Sequence, residues 1–167
     1  MTGVRISSIS CVARVALSLC LLTVSSTVAV AQIESRVGTW ELDLARSTFT
    51  PGPPPQRQTL TYSAAGNQWT ALIQGIDASG KPIDLDVNNL MINFDGRDHA
   101  TATADYDTTA WKRVDARKYL VTRKKAGKVV LTSTNELSPD GKTLTITTNG
   151  TNSAGQTVHN VRVYKKQ

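Results

Sequence analysis

The chain has 167 residues, a formal net charge of +6 and two cysteines. That is about one domain's length, and two cysteines are too few for a disulfide-stapled scaffold, so a hydrophobic core must carry the fold. Aromatic residues make up only 5% and are not interleaved with the basic ones, which argues against nucleic acid as a partner.

Residues 1–31 read as a signal peptide. Arg5 and Arg14 supply early positive charge, "VALSLCLLTV" (15–24) is an apolar core, and "AVA" (29–31) puts alanine at −3 and −1 before Gln32. Cleavage is predicted after Ala31, leaving residues 32–167 as a single domain in the periplasm or secreted. Ser25, Ser26 and Thr27 dilute the apolar run and no basic cluster follows, so no stable membrane insertion is expected after cleavage. Cys20 follows Leu19 rather than the small residue of a lipidation signal, and Cys11 precedes the apolar core. Both cysteines are therefore predicted to leave with the leader.

Charge is uneven along the remainder. Residues 32–110 hold 5 basic and 10 acidic groups, and residues 111–167 hold 12 and 3. Two readings are open: a basic face for an anionic surface, or complementary halves of one sheet lying side by side. The second is the simpler.

No segment after the leader keeps a helical period. Short Thr/Val/Leu/Ile runs predict strands at 39–45, 57–64, 68–76, 82–87, 90–95, 99–104, 107–114, 117–125, 128–137, 142–149 and 156–165. The Pro-rich "PGPPP" (51–55) after the first of these predicts a stiff, extended crossover, because proline cannot donate to a ladder. Ile83, Leu85 and Val87 alternate with Asp84, Asp86 and Asn88, and the apolar phase then switches to Leu90, Ile92 and Phe94. That switch predicts a bulge or tight turn at Asn88-Asn89. Hairpin turns are predicted at "ASGKP", "FDGRD", "KAGKV", "PDGKT" and "SAGQT", with glycines at 80, 96, 127, 141 and 155. "RVDARK" (113–118) supplies a further turn without glycine. The fold class implied is all-β: an antiparallel up-and-down barrel of about eight to ten strands, since a meander this long curls and closes its edges.

The two ends of this meander, "VGTWEL" (37–42) and "NVRVYKK" (160–166), resemble those of calycins, the lipocalins and fatty-acid-binding proteins. The resemblance implies that Gly38-Thr39-Trp40 begins the first strand, with Trp40 plugging one end of the barrel. The last strand would pair with the first, and an arginine from near the C-terminus would pack across the indole. Arg162-Val163-Tyr164 also matches the Arg-x-Tyr of the fatty-acid-binding branch, which implies that Arg162 and Tyr164 reach a ligand carboxylate inside the cavity. Alternation puts both on one face with Val158 and Asn160, opposite His159, Val161 and Val163. Which face points inward decides whether Arg162 meets a ligand, covers Trp40 or faces solvent. That branch carries a helix pair between its first two strands; "ARSTFTPGPPPQR" (45–57) is too short and proline-rich for one. The opening of the chain further resembles that of small exported bacterial proteins without a settled function.

The residues offer no catalytic group and no metal or cofactor site. His99 and His159 lie in no zinc spacing, and no nucleophile elbow is present. "DGRDH" (95–99) reads as a turn, and Asp84 and Asp86 as a solvated face. The function implied is binding of a small apolar, amphipathic or carboxylate-bearing molecule. The alternative is a ligand-free structural or interaction module of the bacterial envelope. Interior volume separates them: a carrier needs a cavity of roughly 300 Å³ or more.

Overall fold

The computed structural model describes residues 35–65, 68–86, 92–101 and 103–167. The leader with its cleavage point, both cysteines and the phase switch at Asn88-Asn89 lie outside the described residues, as do the side chains of Asp84, Leu85 and Asp86. No helix among the described residues is long and apolar enough to cross a membrane.

Among the described residues ten strands form in chain order: β1 (Gly38–Leu42), β2 (Arg57–Ala65), β3 (Gln68–Ile76), β4 (Pro82–Asp86), β5 (His99–Ala100), β6 (Thr108–Arg113), β7 (Lys118–Lys125), β8 (Lys128–Leu137), β9 (Thr143–Thr151) and β10 (Thr157–Lys166). They make one antiparallel sheet in the order β4-β3-β2-β1-β10-β9-β8-β7-β6-β5. Consecutive strands are therefore neighbours, except that β4 and β5 are the two edges and the chain's first and last strands pair. The fold is the calycin-like up-and-down arrangement that the two ends implied.

Local chemistry explains the hairpins. Gly80, Gly96, Gly127, Gly141 and Gly155 all take positive φ, between 70° and 85°. The glycine-free turn before β7 is closed instead by Asp115, whose Oδ1 accepts the N–H groups of Arg117 (2.7 Å) and Lys118 (2.9 Å).

The register of the closing strands fixes their faces. Leu144, Ile146 and Thr148 of β9 sit opposite Tyr164, Arg162 and Asn160 of β10, and all six face inward: Leu144 and Tyr164 are buried in the core and the other four line the interior. Val161 and Val163 point the other way. β1 is half the length of β10 because the chain leaves it for a 3-10 turn at Leu44–Arg46. It then resumes beside β10, where Thr48 and Val161 exchange N–H···O bonds of 2.8 and 2.9 Å.

One predicted strand, 90–95, is not seen among the described residues: 90 and 91 lie outside them, 92–94 join no strand and Asp95 makes only an isolated bridge to Lys112. The segment instead crosses the base of the barrel. Ile92 N–H donates to Trp69 O of β3 (3.0 Å), and Gly96 N–H donates to Trp111 O of β6 (2.9 Å). Ile92 and Phe94 alternate with Asn93 because both apolar side chains pack into the core; period 2 reports burial, and ladder pairing is a separate requirement.

Candidate functional site

Residues of β2, β3 and β6–β10 curl around a cavity of about 450 Å³. Its apolar wall includes Leu60, Ile73, Ile92, Trp111, Leu131 and Ile146, and its polar wall includes Tyr62, Thr109, Asn135 and Thr148. Three ionisable groups of fixed charge line it: Arg123, Arg162 and Asp105.

Arg162 and Tyr164 are on this wall. The Tyr164 hydroxyl is buried and donates to Gln58 Oε1 across the β2–β10 side of the barrel (3.0 Å). Burial pushes its pKa well above the usual phenol range, so it is a neutral donor at physiological pH. The Arg162 guanidinium stacks over Phe49, 5.5 Å from the ring centroid. Burial lowers its pKa, the neighbouring Tyr164 opposes that shift, and Arg123 adds to it. Arginine is not deprotonated at neutral pH, so the guanidinium keeps its charge.

Above Arg162 the cavity meets a second hollow, of about 410 Å³, at the mouth of the barrel. Pro51, Pro53 and Pro55 form one side of it and Asp77, Ser79 and Ile83 another. The Pro-rich crossover thus stands at the mouth, on the side where β10 presents Asn160 and Arg162 to both spaces.

At the opposite end Trp40 is fully buried. Its Nε1 donates to Arg36 O (2.8 Å), and Gly38 begins the strand at φ 123°, a backbone angle that side-chain-bearing residues rarely adopt. The cation over the indole is Lys166, with Nζ 5.3 Å from the ring, and Arg162 is not there. The resemblance implied a C-terminal arginine in that place; here the position four residues further along β10, on the same face, lies at the base and Arg162 lies too near the mouth. Lys166 Nζ also donates to Ser35 O (2.5 Å). Beside it the buried Arg36 guanidinium lies 4.5 Å from the Tyr119 ring and donates to Arg117 O. Phe94 joins Trp69, Trp111 and Tyr119 into one aromatic cluster, with centroids 5.7, 6.2 and 4.7 Å away.

Arg36 and Arg123 were not singled out in the sequence. Arg36 stands two residues before Gly38, ahead of the first predicted strand, where no period marks it as inward. Arg123 sits in a run of lysines that reads as solvated, yet Tyr119, Val121 and Arg123 share a face in "KYLVTRKK" (118–125), and two of these three are apolar. That alternation was the available signal.

His99 and Asp95 do come together, with Nε2 3.0 Å from Oδ1, but at an exposed turn away from the cavity. Among the described residues no three His, Cys, Asp or Glu side chains are grouped to hold a metal ion.

The class these features define is a calycin-like β-barrel around an internal, cation-lined cavity. No protein-family profile matches the chain, and no curated protein does. Among solved structures it is similar to a zebrafish ileal bile acid-binding protein complexed with cholic acid. That match has 14% identity and a TM-score of 0.48, over 80% of this chain and 99% of that one.

Proposed function

We propose that the protein is an exported β-barrel carrier that binds a small amphipathic molecule with an anionic, carboxylate-type end. Arg162 and Tyr164 hold the anionic end, and Trp40, on the strand that Gly38 begins, seals the base. The observation that carries this reading is the cavity itself: about 450 Å³, with a mixed apolar and polar wall and two guanidinium groups on it. A volume of that order suits a small ligand, and arginine suits a bidentate grip on a carboxylate, with a phenol as a further donor. Export rests on the leader sequence, its apolar core and the "AVA" before Gln32.

Native mass spectrometry of residues 32–167, purified from the periplasm without denaturation, tests the reading. The expected result is a co-purifying mass of a few hundred daltons that is lost in Arg162→Ala. A clean apo mass, together with no uptake of amphipathic carboxylates added afterwards, would return the protein to the envelope-module alternative.

A further inference from the structure

Pro51, Gln58, Asn160 and Arg162 line both the barrel cavity and the hollow at its mouth, so these four form the waist where spaces of about 450 and 410 Å³ join. Hydrogen bonds fix which way the polar groups of the waist face. Gln58 Oε1 accepts from the Tyr164 hydroxyl (3.0 Å) and Asn160 Oδ1 accepts from Thr50 N–H (2.9 Å), which leaves both amide NH2 groups as donors. The Arg162 guanidinium joins them. It stacks 5.5 Å from the ring of Phe49, a residue of the outer wall, and Thr48 and Thr50 on either side of that residue tie the chain to β10. The waist is thus ringed by donors from β2 and β10, with open space above and below.

The charges decide what suits this arrangement. Arg123 and Arg162 line the cavity against Asp105, two positive charges against one negative. Arg123 stands 5.3 Å from the ring of Tyr106, next in the chain to Asp105, so the carboxylate offsets that guanidinium and Arg162 carries the unbalanced charge. A single negative charge at the waist satisfies it. The outer hollow differs in kind. Phe49, Ile83 and three prolines give it apolar surface, and Ser79, Gln58 and Asn160 give it hydrogen-bonding groups. Its carboxylate is Asp77, whose Oδ1 already accepts from Ser79 N–H, the Ser79 hydroxyl and Lys81 N–H (2.8, 2.7 and 2.9 Å). That charge disfavours a second anion in the hollow and leaves it suited to an uncharged polar group.

We infer that the ligand continues past its charged group: one oxyanion sits at the waist, an apolar tail fills the cavity below it, and an uncharged polar group occupies the outer hollow. The inference rests on the carrier reading and extends its ligand by the group beyond the anion. The shared chemistry is a monoanion flanked by an apolar tail and a hydrogen-bonding group. A phosphodiester supplies it, and so does the carboxylate of an N-acyl amino acid with a polar side chain. Orientation follows from the walls. The tail lies toward Leu60, Ile73, Ile92 and Trp111, and the polar group lies between the Pro-rich crossover and the β3–β4 turn.

Calorimetric titration at pH 8, below micellar concentrations, with two matched pairs tests this: dodecyl methyl phosphate against dodecyl glyceryl phosphate, and N-dodecanoylglycine against N-dodecanoylglutamine. All four carry one negative charge and the same apolar chain, and within a pair only the group beside the anion grows. In at least one pair the larger member should bind about fivefold or more tightly, the effect of roughly one added hydrogen bond. The pair that shows the advantage identifies the head-group chemistry. Ala78 is exposed on the β3–β4 turn and lines the outer hollow, so Ala78→Trp should fill that hollow and cut the advantage to within about twofold, leaving the smaller members unaffected. Arg162→Gln should weaken all four by a similar factor, because each places its anion at the waist. Equal affinities within both pairs, an advantage that survives Ala78→Trp in a variant with unchanged circular dichroism, or a loss in Arg162→Gln confined to the smaller members overturns the inference and leaves the carrier reading standing. No heat from any of the four overturns both.

Discussion

Around Trp40 the 35–36 turn, β1 and the end of β10 converge. The indole is fully buried, its N–H is satisfied by Arg36 O, and Lys166 covers its face. Truncation would open a void and strip Arg36 O of its partner. Trp40→Ala should cost about 3–5 kcal/mol in urea unfolding, and Trp40→Phe, which keeps most of the ring but not the N–H, about 1–2 kcal/mol. A cost below about 1 kcal/mol for the alanine variant would mean that the indole does not hold the base together.

Tyr62 gives the residue scale a pH signature. Burial on the cavity wall raises its pKa from 10.0 to about 12, with the positive charges of Arg36 and Arg123 pulling the other way. The raised value belongs to the folded state, so the stability it represents is fully present below pH 10 and drains away between pH 10 and about 12. Over that window the unfolded chain releases the phenolic proton and the folded chain keeps it. The loss attributable to this group is on the order of 2–3 kcal/mol. Chemical denaturation at pH 9 and at pH 11.5 should show a smaller difference for Tyr62→Phe than for the native protein; equal differences would mean that this phenol is not desolvated.

At the scale of elements, what could be read in advance was whatever is decided locally. The turns at Gly80, Gly96, Gly127, Gly141 and Gly155 were legible because positive φ and a preceding Asp, Ser or Ala are properties of four or five adjacent residues. The long β7–β10 meander was legible because each hairpin follows from the turn before it. The 92–96 crossing was not, because Ile92 and Phe94 show the alternation of a strand while finding their partners in Trp69 and Trp111. The site divides in the same way. Arg162 and Tyr164 could be put on one face by period, but which face is inward depends on pairing with Leu144 and Ile146. Arg123 needed more: only its place beside Tyr119 and Val121 separates it from the lysines around it, and no local pattern says that this face is the concave one.

At the scale of the whole molecule, the described residues leave a seam in the sheet. Every strand pairs with its chain neighbours except β4 and β5, which form the sheet's two edges. Among the described residues the seam is spanned by the 92–96 segment, with a backbone bond to Trp69 on one side, an isolated bridge at Asp95–Lys112 on the other, and Phe94 wedged among Trp69, Trp111 and Tyr119. Closure across the seam thus depends on ring packing, where the opposite side of the barrel is closed by the β1–β10 and β9–β10 ladders. Ring contacts fall off steeply with separation, whereas a ladder fails only when several bonds break together. Removing Phe94 should therefore loosen one side of the barrel before it unfolds the protein. Phe94→Ala is expected to cost about 2–4 kcal/mol, the lower part of the range for a phenylalanine because the ring is only partly buried. Hydrogen exchange is the decisive readout. Amides of β3, β4 and β6 should exchange faster in the variant while those of β9 and β10 keep their protection up to global unfolding. The cavity lies between these two sides, so under the proposed carrier function a loosened seam should also speed ligand release. Uniform acceleration across all ten strands would show that the seam carries no separate local stability, and the barrel would then open as a single unit.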